Sequence, residues 1–172
     1  MNTSMDPVAS NHVSIVEGLY KDYAADVYNF LVYYTCDRNV AEDLLQETFL
    51  HVLKSHATFA GRSTYKTWIF QIAKNAAIDW QRKAKKVAVS EWDSAKMPAT
   101  TEGLEETILD KEEQMLIHST IHQLQPNYRL VVLLRAIEGF NIAETCKILG
   151  WSESKVKTTY HRALKRLALY LE

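Results

Sequence analysis

Across its 172 residues the chain has only five glycines and three prolines. Sheet proteins need a turn every few residues and draw on both types to make them, so this sparse punctuation restricts the chain to long helices. Apolar side chains recur at helical spacing. Residues 14–34 carry Val16, Leu19, Tyr20, Tyr23, Val27, Phe30, Leu31 and Tyr34 on one face, and the tyrosines read as core residues with hydroxyls at the rim. Cys36 to Asn39 interrupts the pattern, and Asn39 with Glu42 reads as a capping box opening a helix over 40–56. Thr58 to Ser63, which contains Gly61, reads as a loop. A third helix over 64–86 sets Trp68, Ile72, Ala73, Ala76 and Trp80 on one side. Residues 87–108 lose periodicity and read as a linker. Helices are then predicted over 109–124, 126–138, 142–149 and 153–170, with Pro126 in a first turn and Gly139 as a stop. The expected fold is all-α: two small helical domains, 10–86 and 109–172, joined by a flexible acidic linker, 87–108.

Net charge is −1, but the distribution is uneven. Between Gly61 and Lys86 seven bases (Arg62, Lys66, Lys74, Arg82, Lys83, Lys85, Lys86) face one acid, Asp79. Between Lys147 and Arg166 six bases face one acid, Glu153. Between them, Glu91 to Glu113 holds eight acids and two lysines. Two basic blocks flanking an acidic one suit a polyanion held at both ends, and each block lies on a helix rich in aromatic or base-reading residues.

The most specific local signal runs from Ile142 to Leu167. Asn141 and Glu144 form a capping box, Cys146 is a small residue at a close crossing, and Gly150 supplies a turn. Ser152 caps the next helix, Glu153 suits its positive end, and Val156 faces inward. The register of 146, 150 and 156 matches a helix-turn-helix. On the second helix, Lys157 and Arg162 can donate to guanine, Thr158 can touch a base edge, and Lys155, Lys165 and Arg166 suit phosphates.

Three stretches carry a family resemblance. AlaGluAspLeuLeuGlnGluThrPhe (41–49) resembles region 2.2 of the extracytoplasmic-function sigma factors. PheAlaGlyArgSerThrTyrLysThrTrpIlePheGlnIleAlaLysAsnAlaAlaIleAsp (59–79) resembles their regions 2.3 and 2.4. PheAsnIleAlaGluThrCysLysIleLeuGlyTrpSerGluSerLysValLysThr (140–158) resembles their region 4.2. The wording is most similar to the sigma-X/sigma-W branch. The resemblance implies that core RNA polymerase is bound through its β′ clamp helices by Asp43, Leu44, Gln46, Glu47 and Phe49. It implies recognition and melting of the −10 element by Arg62, Lys66, Trp68, Lys74, Asn75, Asp79, Arg82 and Lys83, with Phe59 to Tyr65 as a pocket wall. Phe70 and Trp80 stand among these cations as further aromatics for unstacked bases. It implies −35 recognition by Ser154, Lys155, Lys157, Thr158, Arg162 and Arg166, docking of the second domain on the β flap, and an anti-sigma partner, often membrane-anchored.

Other classes fit less well. There is no P-loop, GxSxG or HExxH, so no catalytic set, cofactor or metal is expected. His118 and His122 stand four apart, but without further ligands they read as part of a solvated helix face. The two cysteines, Cys36 and Cys146, make no disulfide framework. The opening residues have no basic n-region or apolar run, and no segment approaches a membrane span, so a cytoplasmic protein is expected. The main rival reading is a stand-alone helix-turn-helix regulator, which would have no use for the aromatic-basic helix 64–86. A non-DNA adaptor is the third, and the paired basic blocks speak against it.

Overall fold

The computed structural model describes residues 7–90 and 108–171, and among these every regular element is helical. The first group comprises α1 (Pro7–Thr35), α2 (Arg38–Ser55), a 3₁₀ turn over His56–Thr58 and α3 (Tyr65–Ser90). The second comprises α4 (Ile108–Gln123), α5 (Pro126–Val132), a π-helical turn over Leu133–Ile137, α6 (Ile142–Leu149) and α7 (Glu153–Leu171). Most of the expected linker, 91–107, lies outside the described residues.

The link between α1 and α2 is short because Cys36 takes a left-handed conformation (φ 53°) and donates its N–H to Val32, 2.8 Å away. Asp37 then caps α2, its Oδ1 accepting the N–H groups of Asn39 (2.9 Å) and Val40 (3.1 Å). The cap is therefore two residues earlier than the expected Asn39–Glu42 box, since a carboxylate immediately after the left-handed residue already meets the free N–H groups of the first turn. Antiparallel α1 and α2 bury Val27, Phe30, Leu31, Ala41, Leu44 and Val52.

Helix α3 lies across this pair and buries a wide arc: Thr67, Ile69, Phe70, Ile72, Ala73, Ala76 and Ala77. The predicted stripe was narrower and centred differently. Trp68 and Trp80 stand half-buried at its edges, because α3 packs against α6 as well as against α1 and α2.

The second group is pinned by its punctuation. Pro126 opens α5, and the π turn and Gly139 (φ 73°) end it. Here Glu138 N–H reaches Leu133 O at 2.9 Å and Phe140 N–H reaches Leu134 O at 3.0 Å. This wide final turn swings Glu138 and Phe140 toward the first group. The capping box at α6 is present in both directions, with Asn141 and Glu144 exchanging bonds of 2.8 and 2.9 Å.

The two groups pack together. The buried guanidinium of Arg129 donates to Tyr34 O (2.7 Å), His122 O (2.6 Å) and Leu124 O (3.1 Å). It thus serves carbonyls at the C-terminal ends of both α1 and α4, where a cation is favoured. His118 stacks on Tyr33, with ring centroids 3.7 Å apart and planes 5° from parallel. Burial, then the charge of Arg38, lowers its pKa, so it stacks as a neutral ring and not as part of a solvated face.

Asp37→Ala is expected to cost about 1 kcal/mol, the ordinary value of an N-cap. That corresponds to about 2–4 °C in Tm for a chain of this size. Asn39→Ala should cost well under half as much. Equal losses in calorimetry would return the cap to Asn39.

Candidate nucleic-acid interface

The outer face of α2 presents Asp43, Gln46 and Glu47, all exposed, around a shallow groove completed by Leu50, His51 and Lys54. Leu44 and Phe49, expected among them, are instead 5% and 7% exposed. Phe49 packs edge-on against Tyr20 at 4.8 Å. Their side chains hold α2 to α1 and leave the outer face to its neighbours. Sequence reading missed the apolar part of that face, Leu50 and Leu53, which are 56% and 42% exposed. The signal was available: Leu50 follows Gln46 by four and Glu47 by three, which is one helix face.

The −10 candidates on α3 divide by helix geometry. At ~100° per residue, Asn75, Asp79 and Arg82 fall on one side with Gln71, and Lys66 falls opposite Asn75. The structure agrees: Asn75, Asp79, Arg82 and Lys83 are exposed, and Asp79 and Arg82 pair at 3.6 Å. Trp68 sits beside this face, 4.7 Å from the ring of Phe59. Arg62 is exposed in the preceding loop. Lys66 is half-buried at the seam with the second group, 4.0 Å from Asp26 and 5.1 Å above the ring of Phe140. Lys74 is half-buried too, and burial lowers its pKa against the opposing charge of Asp79. Phe70, expected as an aromatic for unstacked bases, is fully buried between Phe30 (5.5 Å) and Phe140 (5.0 Å). A phenylalanine has no polar atom to keep it at the rim, so two apolar partners take it inside.

The helix-turn-helix forms as its local signals require. Gly150 is left-handed (φ 67°), which joins α6 to α7 tightly, and Ser152 Oγ accepts the N–H of Lys155 at 3.2 Å. Val156 and Ala163 point inward at 1% and 0% exposure. Ser154, Lys155, Lys157, Thr158, Arg162 and Arg166 are all exposed. Lys155, Thr158, Arg162 and Arg166 share one face, whereas Lys157 lies about 140° round from Arg162. Lys157 is paired there with Glu153, whose pKa is lowered by that hydrogen bond and charge. Lys155 lies 4.2 Å over the ring of Trp151, so its head is aimed along the turn.

Comparison with known proteins decides the family. Residues 19–87 match the family model of sigma-70 region 2, and residues 114–167 match that of sigma-70 region 4. The chain is 42% identical to the ECF RNA polymerase sigma factor SigX of Bacillus subtilis, over 90% of this chain and 82% of that protein. The chain belongs to the extracytoplasmic-function RNA polymerase sigma factors. It is also 34% identical to the Bacillus subtilis RNA polymerase sigma factor YlaC, covering 88% of this chain and 89% of the relative. The fold is that of the sigma factor RpoE solved with the anti-sigma factor NepR from Bartonella quintana. That match has a TM-score of 0.78 and 20% identity, and covers 90% of this chain and 95% of the other. It is likewise that of CnrH, solved with the cytosolic domain of CnrY, with a TM-score of 0.70 and 20% identity over 95% and 94% of the two chains. The protein is therefore an alternative sigma factor, a DNA-binding initiation factor that works with core RNA polymerase at promoters, and not a stand-alone regulator. No helix among the described residues is long and apolar enough to cross a membrane, and none of them form a cluster of three or more metal-ligating side chains.

In this sigma factor Lys66 lies at the seam between the two helical groups. Glu138 arrives from the π turn, and its carboxyl is pushed up to about 7 by burial, then by the charge of Asp26, against the pull of Lys66. An acid whose pKa is raised by packing binds a proton that the unpacked form releases. The seam is therefore most favoured at low pH and weakens as pH rises from the ordinary carboxylate value of 4.5 to about 7, with little further change above. Fluorescence transfer between dyes on the two groups should fall as pH is raised from about 5 to about 7 and then level off, and Glu138→Gln should flatten that response. A flat wild-type profile would remove Glu138 from the seam.

Proposed function

We propose that this sigma factor works through three surfaces on two domains, 10–86 and 109–172, joined by the acidic linker 87–108. The outer face of α2, with Asp43, Gln46 and Glu47 and with Leu50 added, binds the β′ clamp helices, a basic partner suited to an acidic and partly apolar face. Leu44 and Phe49 support that face from inside. The loop 59–65 and the exposed side of α3 recognise and open the −10 element. Trp68 stacks an unpaired base, Asn75 reads its edge with an amide that both donates and accepts, Asp79 flanks it, and Arg62, Arg82 and Lys83 neutralise the backbone. Helix α7 reads the −35 element in the major groove with Ser154, Thr158 and Arg162, while Lys155 and Arg166 meet phosphate. Lys157, about 140° round α7 from Arg162, meets backbone phosphate on releasing Glu153. The second domain docks on the β flap.

The chain contributes positioning and strand capture, and the polymerase supplies the chemistry, so it is not itself an enzyme. The observation that carries this reading is the pairing of two exposed cationic faces, on α3 and on α7, with an acidic face on α2. The packed arrangement of the two groups supports a compact resting form, in which Lys66 is withheld, and an extended form spanning −35 to −10 on the polymerase. An anti-sigma protein, membrane-anchored in the usual family manner, would hold the compact form in the cytoplasm.

Run-off transcription from genomic fragments, with core polymerase lacking any other sigma factor, tests the reading directly. Transcripts must require both components. On the promoters so found, Arg162→Ala should lower affinity by about 1–3 kcal/mol, the scale of a direct base contact. Lys157→Ala should lower it by less, and Asn75→Ala should reduce opening without weakening core binding. Binding to DNA alone, with no association with core, would sink the reading.

A further inference from the structure

We infer that His56 is a positioning residue for the aromatic loop before α3, with His12 completing the brace; the inference rests on reading that loop as the wall of the −10 pocket. His56 is 8% exposed, in the 3₁₀ turn that follows α2. Its Nδ1 lies 3.1 Å from Nδ1 of His12 on α1, and its Nε2 lies 3.2 Å from the hydroxyl of Tyr65 at the start of α3. Both ring nitrogens of a buried imidazole are thereby partnered, as burial demands. Each contact needs a donor and an acceptor, so the protons run in one direction. Either His12 donates to His56 and His56 to Tyr65, or Tyr65 donates to His56 and His56 to His12.

The loop is held at both ends by this one residue. At its entrance, Phe59 N–H donates to the carbonyl of His56 at 3.0 Å. At its exit, the ring of Tyr65 stacks on the imidazole, with centroids 5.8 Å apart and planes at 22°. Between these anchors Phe59 stacks on Tyr65 at 4.6 Å and meets Trp68 at 4.7 Å. Phe59, Tyr65 and Trp68 are all only partly buried, so the stack offers an aromatic edge to solvent. Such an edge receives an unstacked base only if its rings are held in place beforehand. Gly61 (φ 67°) gives the loop its turn and Thr64 caps the backbone of α3, its Oγ1 accepting the N–H of Thr67 at 3.1 Å, but the hydrogen bond to the Tyr65 hydroxyl comes from His56.

The test uses the full chain loaded on core polymerase. Affinity is measured for a single-stranded oligonucleotide carrying the −10 sequence of a promoter recovered by run-off, and for a duplex carrying only its −35 sequence. His56→Phe keeps a ring and removes both hydrogen bonds. Tyr65→Phe keeps the stack and removes one. Both are expected to weaken single-strand binding roughly 5- to 100-fold, the scale of one stacked base. Core affinity and −35 binding should stay unchanged, and His56→Gln, which retains a donor and an acceptor, should recover part of the loss. Should His56→Phe fail to fold, Tyr65→Phe and His12→Ala carry the same test. Trp68→Ala separates the two possible failures. Weakened binding in Trp68→Ala with wild-type binding in His56→Phe and Tyr65→Phe would overturn the brace alone. Wild-type binding in Trp68→Ala would overturn the −10 reading and the brace with it. Equal loss of −35 and −10 binding in His56→Phe would make His56 an ordinary core residue.

Discussion

The guanidinium of Arg129 ties together what would otherwise be two small helical bundles. It meets three backbone carbonyls, one at the end of α1 and two at the end of α4, from a buried position. A buried charge is costly unless its donors are used. Here the two terminal nitrogens carry the bonds while Nε has no hydrogen-bond partner among the described residues, and the planar fork aims them at oxygens on two separate helix ends. The ends of α1 and α4 have carbonyls without helical partners, and the cation satisfies both at once. Around this point lie the neutral stack of His118 on Tyr33 and, further along the seam, the rings of Phe70 and Phe140. The arrangement of the binding surfaces follows from it, because the same packing that builds the seam decides which side of α3 meets solvent.

That choice has an electrostatic consequence. A helix carrying bases all round would attract DNA indiscriminately, but α3 in this packing exposes Asn75, Arg82 and Lys83 and retains Lys66 and Lys74. Lys66 is shared between Asp26 and the face of Phe140, and Glu138 holds a raised pKa beside it. The seam thus keeps one cation and two carboxylates at close quarters. Burial raises the energetic weight of each, since screening by water and salt is weaker there than at an exposed pair such as Asp79–Arg82. On α7, by contrast, the cations stand fully outside, and the Glu153–Lys157 pair is an exposed i,i+4 contact that competes poorly with a phosphate.

The helices, the loop around Gly61 and the helix-turn-helix were legible from residue order, and so was the family. Gly150, Ser152, Asn141 and Glu144 act through bonds spanning at most four residues, so their roles can be read along the chain. The cap at Asp37 was misplaced because the left-handed Cys36 beside it has no glycine or asparagine to announce it. Leu44 and Phe49 were assigned outward and Phe70 toward bases. Their residue types fit either role, and only their neighbours separate the two. The outward Leu50 and the brace from His12 through His56 to Tyr65 escaped notice for the same reason.

By itself, then, the sequence determined an all-helical chain with a DNA-reading helix-turn-helix and a second basic helix. Sparse glycine and proline, helical periodicity and local capping are properties of neighbouring residues. The tertiary structure alone decided which side of α3 is free, that Lys66 belongs to the seam, and that Arg129 reaches the carbonyl of Tyr34, 95 residues away. A hydrophobic period says that a helix has a buried side. It does not say what covers that side, because that depends on packing between segments that the chain order keeps apart.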